Sequence, residues 1–163
     1  MWRKIQEGDV DTLAEIAKFA RDKQTIETFN EHIEKEHLIY VFENSDGPIG
    51  YAIAYPSIRL EQPAPDTLRD WKPPKMPNSF FIESITLMET MDEDISPEED
   101  FIHEISEIAR EQNINHLSMV CAPGTEEYWQ DRFLFGHEDD VMMDIWVQSG
   151  GYPDGSKYLQ RRI

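Results

Sequence analysis

Residues 37–55 hold two apolar, strand-forming runs with a turn between them. The first is His37-Leu38-Ile39-Tyr40-Val41-Phe42-Glu43 and the second is Pro48-Ile49-Gly50-Tyr51-Ala52-Ile53-Ala54-Tyr55. Asn44-Ser45-Asp46-Gly47 separates them, and Asn, Asp and Gly accept the unusual backbone angles that a tight reversal requires. The two runs therefore pair as an antiparallel hairpin, and the chain is committed to a sheet.

The remaining elements fall around that hairpin. Residues 2–6 read as a short first strand. Asp9 or Asp11 can cap a helix running to about Ala20, with Leu13, Ile16, Ala17 and Ala20 on one face. A second helix is expected near Gln24–Lys35, carrying Ile26, Phe29 and Ile33. Strand character returns at Phe80–Leu87, and again at Ile114–Cys121 around Leu117, Met119 and Val120. Between these, Ser96-Pro97-Glu98-Glu99 has the form of a helix start. It offers a capping Ser, Pro at the first helical position and a Glu to complete a capping box. Phe101, Ile105, Ile108 and Ala109 make the apolar stripe of that helix, to about Gln112. Pro123-Gly124-Thr125 is a break, Glu126–Phe133 a short helix and Val141–Val147 a final strand.

Residues 56–78 are a proline-rich insertion, with Pro56, Pro63, Pro65, Pro73, Pro74 and Pro77 opposing regular structure. Trp71 lies within it, an aromatic that is costly to leave fully exposed. A length of 163 residues suits one folding unit. The expected organisation is a single domain over 1–147 and a C-terminal tail over 148–163. The tail is flexible at first, through Gly150, Gly151, Pro153 and Gly155, and docks later.

The 33 acidic residues outnumber the 15 Lys and Arg, for a net charge of −18. That field disfavours general binding to nucleic acid or to anionic membranes, which both need basic patches, and neither is expected as a partner. It suits basic protein partners, cationic small molecules or mimicry of nucleic acid, and it also serves plain solubility. Cys121, a lone cysteine, excludes a disulfide framework and a Cys-rich zinc site. No run approaches the length of a membrane span, and the expectation is a soluble, cytoplasmic protein.

Strand, helix, helix, hairpin, strand, helix, strand, helix, strand is an order that resembles the GNAT superfamily of acetyl-CoA-dependent N-acetyltransferases, over roughly residues 2–147. Residues 40–52 look like the second and third strands of that family, and Phe81-Ile82-Glu83-Ser84-Ile85-Thr86-Leu87 looks like the fourth. The resemblance implies an α/β fold with a mixed, mostly antiparallel sheet flanked by helices. It implies acetyl-CoA as cofactor, with the acyl group in a splay between the fourth and fifth strands near Ile85, Thr86, Leu87, Ser118 and Val120. It also implies Glu83 as general base and Tyr128 as the acid that protonates the departing thiolate. The acceptor would be a small-molecule or peptide amine, drawn in by the acidic field if cationic. The plainer readings are a solvent-facing strand position for Glu83 and a packed aromatic for Tyr128.

One segment departs from the family pattern. Where a glycine-rich loop would close on the coenzyme pyrophosphate, residues 88–100 hold no glycine and no base, but seven carboxylates. Glu98 and Glu99 fall in the first helical turn, where they already satisfy the helix dipole. A second reading therefore stands beside the first: an inactive GNAT-like acidic protein that does not bind coenzyme A and contacts a basic protein as inhibitor, scaffold or mimic.

Other motifs carry less. Asp92, Asp94, Ser96, Glu98 and Asp100 alternate as in a calcium loop, but Pro97 stands at the glycine position and His103 where a bidentate Glu belongs. His137-Glu138-Asp139-Asp140 is a charged turn, and His32, His37, His103 and His116 show no ligand spacing. Cys121 ends a buried strand, the ordinary place of an inert thiol.

Overall fold

The computed structural model describes residues 1–61, 70–88, 96–137 and 140–163. The elements run β1 (Trp2–Lys4), α1 (Asp9–Ala20), α2 (Ile26–Glu34), β2 (Leu38–Asn44), β3 (Gly47–Ser57), β4 (Ser79–Leu87), α3 (Pro97–Glu111), β5 (His116–Cys121), α4 (Glu126–Phe133), β6 (Gly136–His137), α5 (Asp140–Gln148) and β7 (Lys157–Arg162). The seven strands form one sheet in the order β1-β2-β3-β4-β5-β7-β6. Among the described residues only β4 and β5 are parallel neighbours, and every other pair is antiparallel. This is the α/β architecture with a mixed, mostly antiparallel sheet that the family resemblance implies.

Strand alternation divides the core between the two faces. Tyr40, Ala52, Ala54, Phe80, Ile82 and Leu117 pack against Phe101, Ile105 and Ala109 of α3 and Phe133 of α4. On the opposite face Ile39, Val41, Tyr51 and Ile53 meet Leu13, Ile16 and Ala17 of α1 and Phe29 of α2. Further along that face, Tyr55, Phe81 and Tyr158 meet Met143 and Trp146 of α5.

The register of β4 is irregular in two places. Ile53 pairs with Ser84 while Ala54 pairs with Ile82, which leaves Glu83 as the extra residue of a β-bulge. In addition, β4 and β5 pair only at Phe80–Leu117, Phe81–Ser118 and Ile82–Met119, and beyond these they diverge.

Several local expectations are corrected. Residues 141–147 are helical within α5, not a strand. Met143 and Trp146 are buried three residues apart while Val141 and Ile145 stay 67% and 53% exposed, which is helical spacing. The place of the last strand is taken by β7, whose residues pair with β5 from His116–Arg162 to Cys121–Lys157 and carry β6 on the other edge. The C-terminal segment is thus an inner strand of the sheet. Pro56 and Ser57, assigned to the insertion, extend β3 and pair with Phe80 and Ser79. Neither Asp9 nor Asp11 caps α1. Gly8 holds the N-cap position at φ 94°, while the Asp9 carboxylate accepts from Gln6 N at 2.7 Å and grips Arg3. The capping box at α3 does not form either: Pro97 opens the helix as expected, but the Ser96 hydroxyl is buried with no partner among the described residues. Glu98, one position before the Glu99 that would complete the box, accepts a hydrogen bond from Tyr128.

Candidate functional site

The divergence of β4 from β5 opens a cleft of about 430 Å³. Ile82–Leu87 form one wall and Met119–Cys121 the other, with Ala20, Arg21 and Asp22 at one side and Thr125 and Trp129 at another. Past Ile82 the edge of β4 that faces β5 has no partner strand among the described residues. Its peptide N–H and C=O groups beyond that point have no ladder partner in β5 among the described residues, and obligatory hydrogen-bonding groups on such an edge are suited to hold an extended ligand.

Glu83 projects from the bulge, and its side chain is only 6% exposed. Each carboxylate oxygen has a partner. Oε2 accepts from the Tyr55 hydroxyl at 2.9 Å, and Oε1 meets Lys23 Nζ at 2.7 Å. Lys23 also lies 5.8 Å from the centroid of the Tyr152 ring. The reading of Glu83 as a solvent-facing strand residue does not describe this buried and doubly held carboxylate.

Asp22 is the second carboxylate on the wall. Its Oδ2 accepts from Ser84 Oγ at 2.6 Å, from Thr86 Oγ1 at 3.0 Å and from the Tyr51 hydroxyl, while Oδ1 accepts from Lys23 N at 2.8 Å. These bonds tie the α1–α2 connection to β3 and β4. Burial and the adjacent Asp22 charge push the Tyr51 hydroxyl far above its ordinary pKa, so it stays a donor.

Behind Tyr55 lies a buried pair of histidines. His32 Nδ1 and His37 Nδ1 are 2.8 Å apart, so one donates and the other accepts. His37 stacks on Tyr55 at 4.3 Å between centroids, and Trp71 closes over it edge-on at 4.3 Å. Burial pushes His32 down to about 4 and His37 to about 3, the latter helped by its neighbour. Both are neutral near pH 7.

The sequence-derived site residues fall in different places. Glu83, Ile85, Thr86, Leu87 and Val120 all line the cleft. Ser118 does not: it sits where β4 and β5 still pair, fully buried, sharing a hydrogen bond of 2.8 Å with Ser79 Oγ. Tyr128 is also outside the lining, with its hydroxyl donated to Glu98 Oε1 at 3.0 Å and its ring packed on Trp129 and Phe133. Cys121 lines the cleft, and burial pushes its thiol up, so it is protonated rather than nucleophilic. Asp22, Lys23, Tyr55 and Trp129 were not legible as site residues, because their spacing shares no motif. The alternation of Tyr51, Ile53 and Tyr55 along β3 is the one signal that places a tyrosine on the face of Glu83.

Glu89, Asp92, Glu93 and Asp94 of the acidic segment lie outside the described residues, as do Glu138 and Asp139. Among the described residues no cluster of three or more His, Cys, Asp or Glu could hold a metal ion, and no helix is long and apolar enough to cross a membrane.

No family model matches the sequence, and no curated protein matches it. Solved structures do match in fold. N-acetylglutamate synthase from Neisseria gonorrhoeae, complexed with coenzyme A and N-acetyl-glutamate, is 18% identical with a TM-score of 0.66. That match covers 99% of this chain and 34% of the other, so this chain spans about a third of that protein. Aminoglycoside 6'-acetyltransferase type Ii is 6% identical with a TM-score of 0.67, over 99% of this chain and 96% of that one. PaiA N-acetyltransferase from Thermoplasma acidophilum, in complex with coenzyme A, is 13% identical with a TM-score of 0.63, over 100% and 98% of the two chains. At such identities the likeness shows the fold, which is that of the GNAT acetyltransferases.

Proposed function

We propose that this protein is an N-acyltransferase that moves an acetyl group from acetyl-CoA to a primary amine, with the cleft between β4 and β5 as its active site. The observation that supports this most is the position of Glu83, a carboxylate held in the wall of a cleft that opens where β4 leaves β5. The peptide groups beyond Ile82, past the end of the β4–β5 ladder, suit the two amides of a pantetheine arm. Ile85, Leu87 and Val120 would flank the acyl end.

Acetyl-CoA, when bound, supplies the acyl group as a reactive thioester. The acceptor amine must be neutral to attack. Glu83 accepts the proton it sheds, directly or through one water, because each carboxylate oxygen keeps a second lone pair beyond its bond to Tyr55 or Lys23. A C–N bond forms, the C–S bond breaks, and the departing thiolate takes a proton. We assign that proton to Tyr128, whose hydroxyl must leave Glu98 to reach the cleft beside Trp129.

A second reading draws on a different observation. The first turn of α3 carries Glu98, Glu99 and Asp100, so it repels rather than attracts a pyrophosphate. This favours an inactive acidic protein that binds a basic protein partner. One experiment separates the two: free thiol released from acetyl-CoA in the presence of a panel of primary amines. Release that depends on both amine and Glu83 supports the transferase. No release, together with capture of a basic protein that weakens steeply with salt, supports the second reading.

A further inference from the structure

Arg110, Arg132 and Arg161 come from α3, α4 and β7 and line a single groove of about 220 Å³. None of its lining residues belongs to the cleft. The convergence runs against the composition: with 33 acids to 15 bases, an arbitrary hollow on this surface would carry about two acids for each base, whereas this one carries three arginines and one glutamate.

The three guanidinium groups are held in different ways. Arg161 Nη1 donates to Phe133 O at 3.1 Å, which leaves the rest of its fork available. Arg132 lies over two rings, 5.2 Å from the Tyr128 centroid and 5.8 Å from that of Phe133. Among the described residues those rings, rather than a carboxylate, hold it. Arg110 forms an exposed ion pair with Glu107 one turn back on the same helix, which is a weak restraint. Arg110 and Arg132 each sit in the last turn of a helix, where the dipole favours a cation. The dipoles explain one base per helix. They do not explain why both, with a third from a strand, open onto the same hollow.

Arginine's planar fork matches the oxygens of phosphate and carboxylate groups, and stacking on an aromatic ring fixes the plane of that fork in advance. Phe133 is buried behind the groove and Leu134 stands open beside it, a short apolar wall next to the charged end. Glu99 at the rim would repel a second anionic group placed beside it. We propose that this groove binds the single anionic head, phosphate or carboxylate, of a small ligand, independently of the cleft.

The test uses the full chain and two probes, inorganic phosphate and butyrate, with chloride at matched ionic strength as control. The readout is the NMR shift of the arginine Nε–Hε groups. The expected result is saturable shifts of Arg110, Arg132 and Arg161 with one probe at millimolar concentration or below, and none with chloride. The probe that saturates first identifies the head group. Arg132→Gln, and separately Arg110→Gln, should weaken that binding by at least about tenfold while the remaining spectrum stays that of the folded chain. Equal, non-saturating shifts with chloride, or unchanged affinity in both folded variants, would overturn the proposal.

Discussion

The Tyr55 hydroxyl donates to Glu83 Oε2 at 2.9 Å from the adjacent strand, and the bulge at Glu83 sets what surrounds that contact. Glu83 keeps the face of Phe81, which packs with Tyr55. The extra residue then shifts the alternation, so Ser84 and Thr86 fall on that same face and reach Asp22, while Ile85 turns to the α3 side. One irregularity thus gathers two carboxylates on one wall at the point where β4 leaves β5.

Replacing Glu83 by Gln removes the proton acceptor and keeps the shape. Turnover with a primary amine is expected to fall by about 10²–10⁴-fold, the usual contribution of general acid–base catalysis. The melting temperature should stay close to that of the parent. Undiminished turnover in the folded variant would remove Glu83 from the chemistry.

Asp22→Ala tests the anchor. Tyr51, Ser84 and Thr86 would all lose their common acceptor in a partly buried site. The expected cost is about 2 kcal/mol or more, read by denaturant unfolding, because partnered hydroxyls left unsatisfied pay their desolvation. A cost within experimental error would mean that the α1–α2 connection is not held by this carboxylate.

The histidine pair predicts a pH dependence of stability. Their folded values, about 4 for His32 and about 3 for His37, lie below the ordinary 6.5. The unfolded chain therefore binds more protons below pH 6.5 than the native one does. This part of the stability is complete above pH 6.5 and is lost progressively as pH falls toward 3. Unfolding measured from pH 7.5 to pH 4.5 should show that slope, and a His32→Gln, His37→Gln double variant should lose part of it. An identical slope in that variant would contradict the assignment.

Cys121 should react with iodoacetamide far more slowly in the native state than after unfolding, since burial keeps the thiol protonated and covered. Cys121→Ala should retain turnover to within about twofold, a substitution away from the transferred proton. Rapid native labelling accompanied by loss of turnover would reassign the nucleophile.

The hairpin, α3 and the strand at 116–121 were legible because local chemistry and tertiary packing agree there: the Asn44–Gly47 turn, Pro97 at the helix start and the apolar run at Leu117–Val120. Two features were not. The run Val141-Met142-Met143-Asp144-Ile145-Trp146-Val147 has the composition of a strand, yet only the burial of Met143 and Trp146 makes it a helix. The C-terminal segment reads as polar and Gly-rich before Lys157, but its last residues fill a long-range gap beside β5 that no local pattern encodes. At the site, the fourth-strand resemblance singles out Glu83, and the structure puts it in the cleft wall. Asp22 and Lys23 reach it from a helix–helix connection, and Ser118, one residue short of the divergence, is occupied by Ser79.

The most direct test of the central claim is calorimetric titration of the protein with acetyl-CoA, at low and at physiological salt. A transferase with its active site in this cleft should show saturable binding in the micromolar range, weakened when Val120→Trp fills the splay in a folded variant. No heat and no thermal stabilisation at either salt would contradict that claim, and would leave the acidic interaction protein as the better reading of this fold.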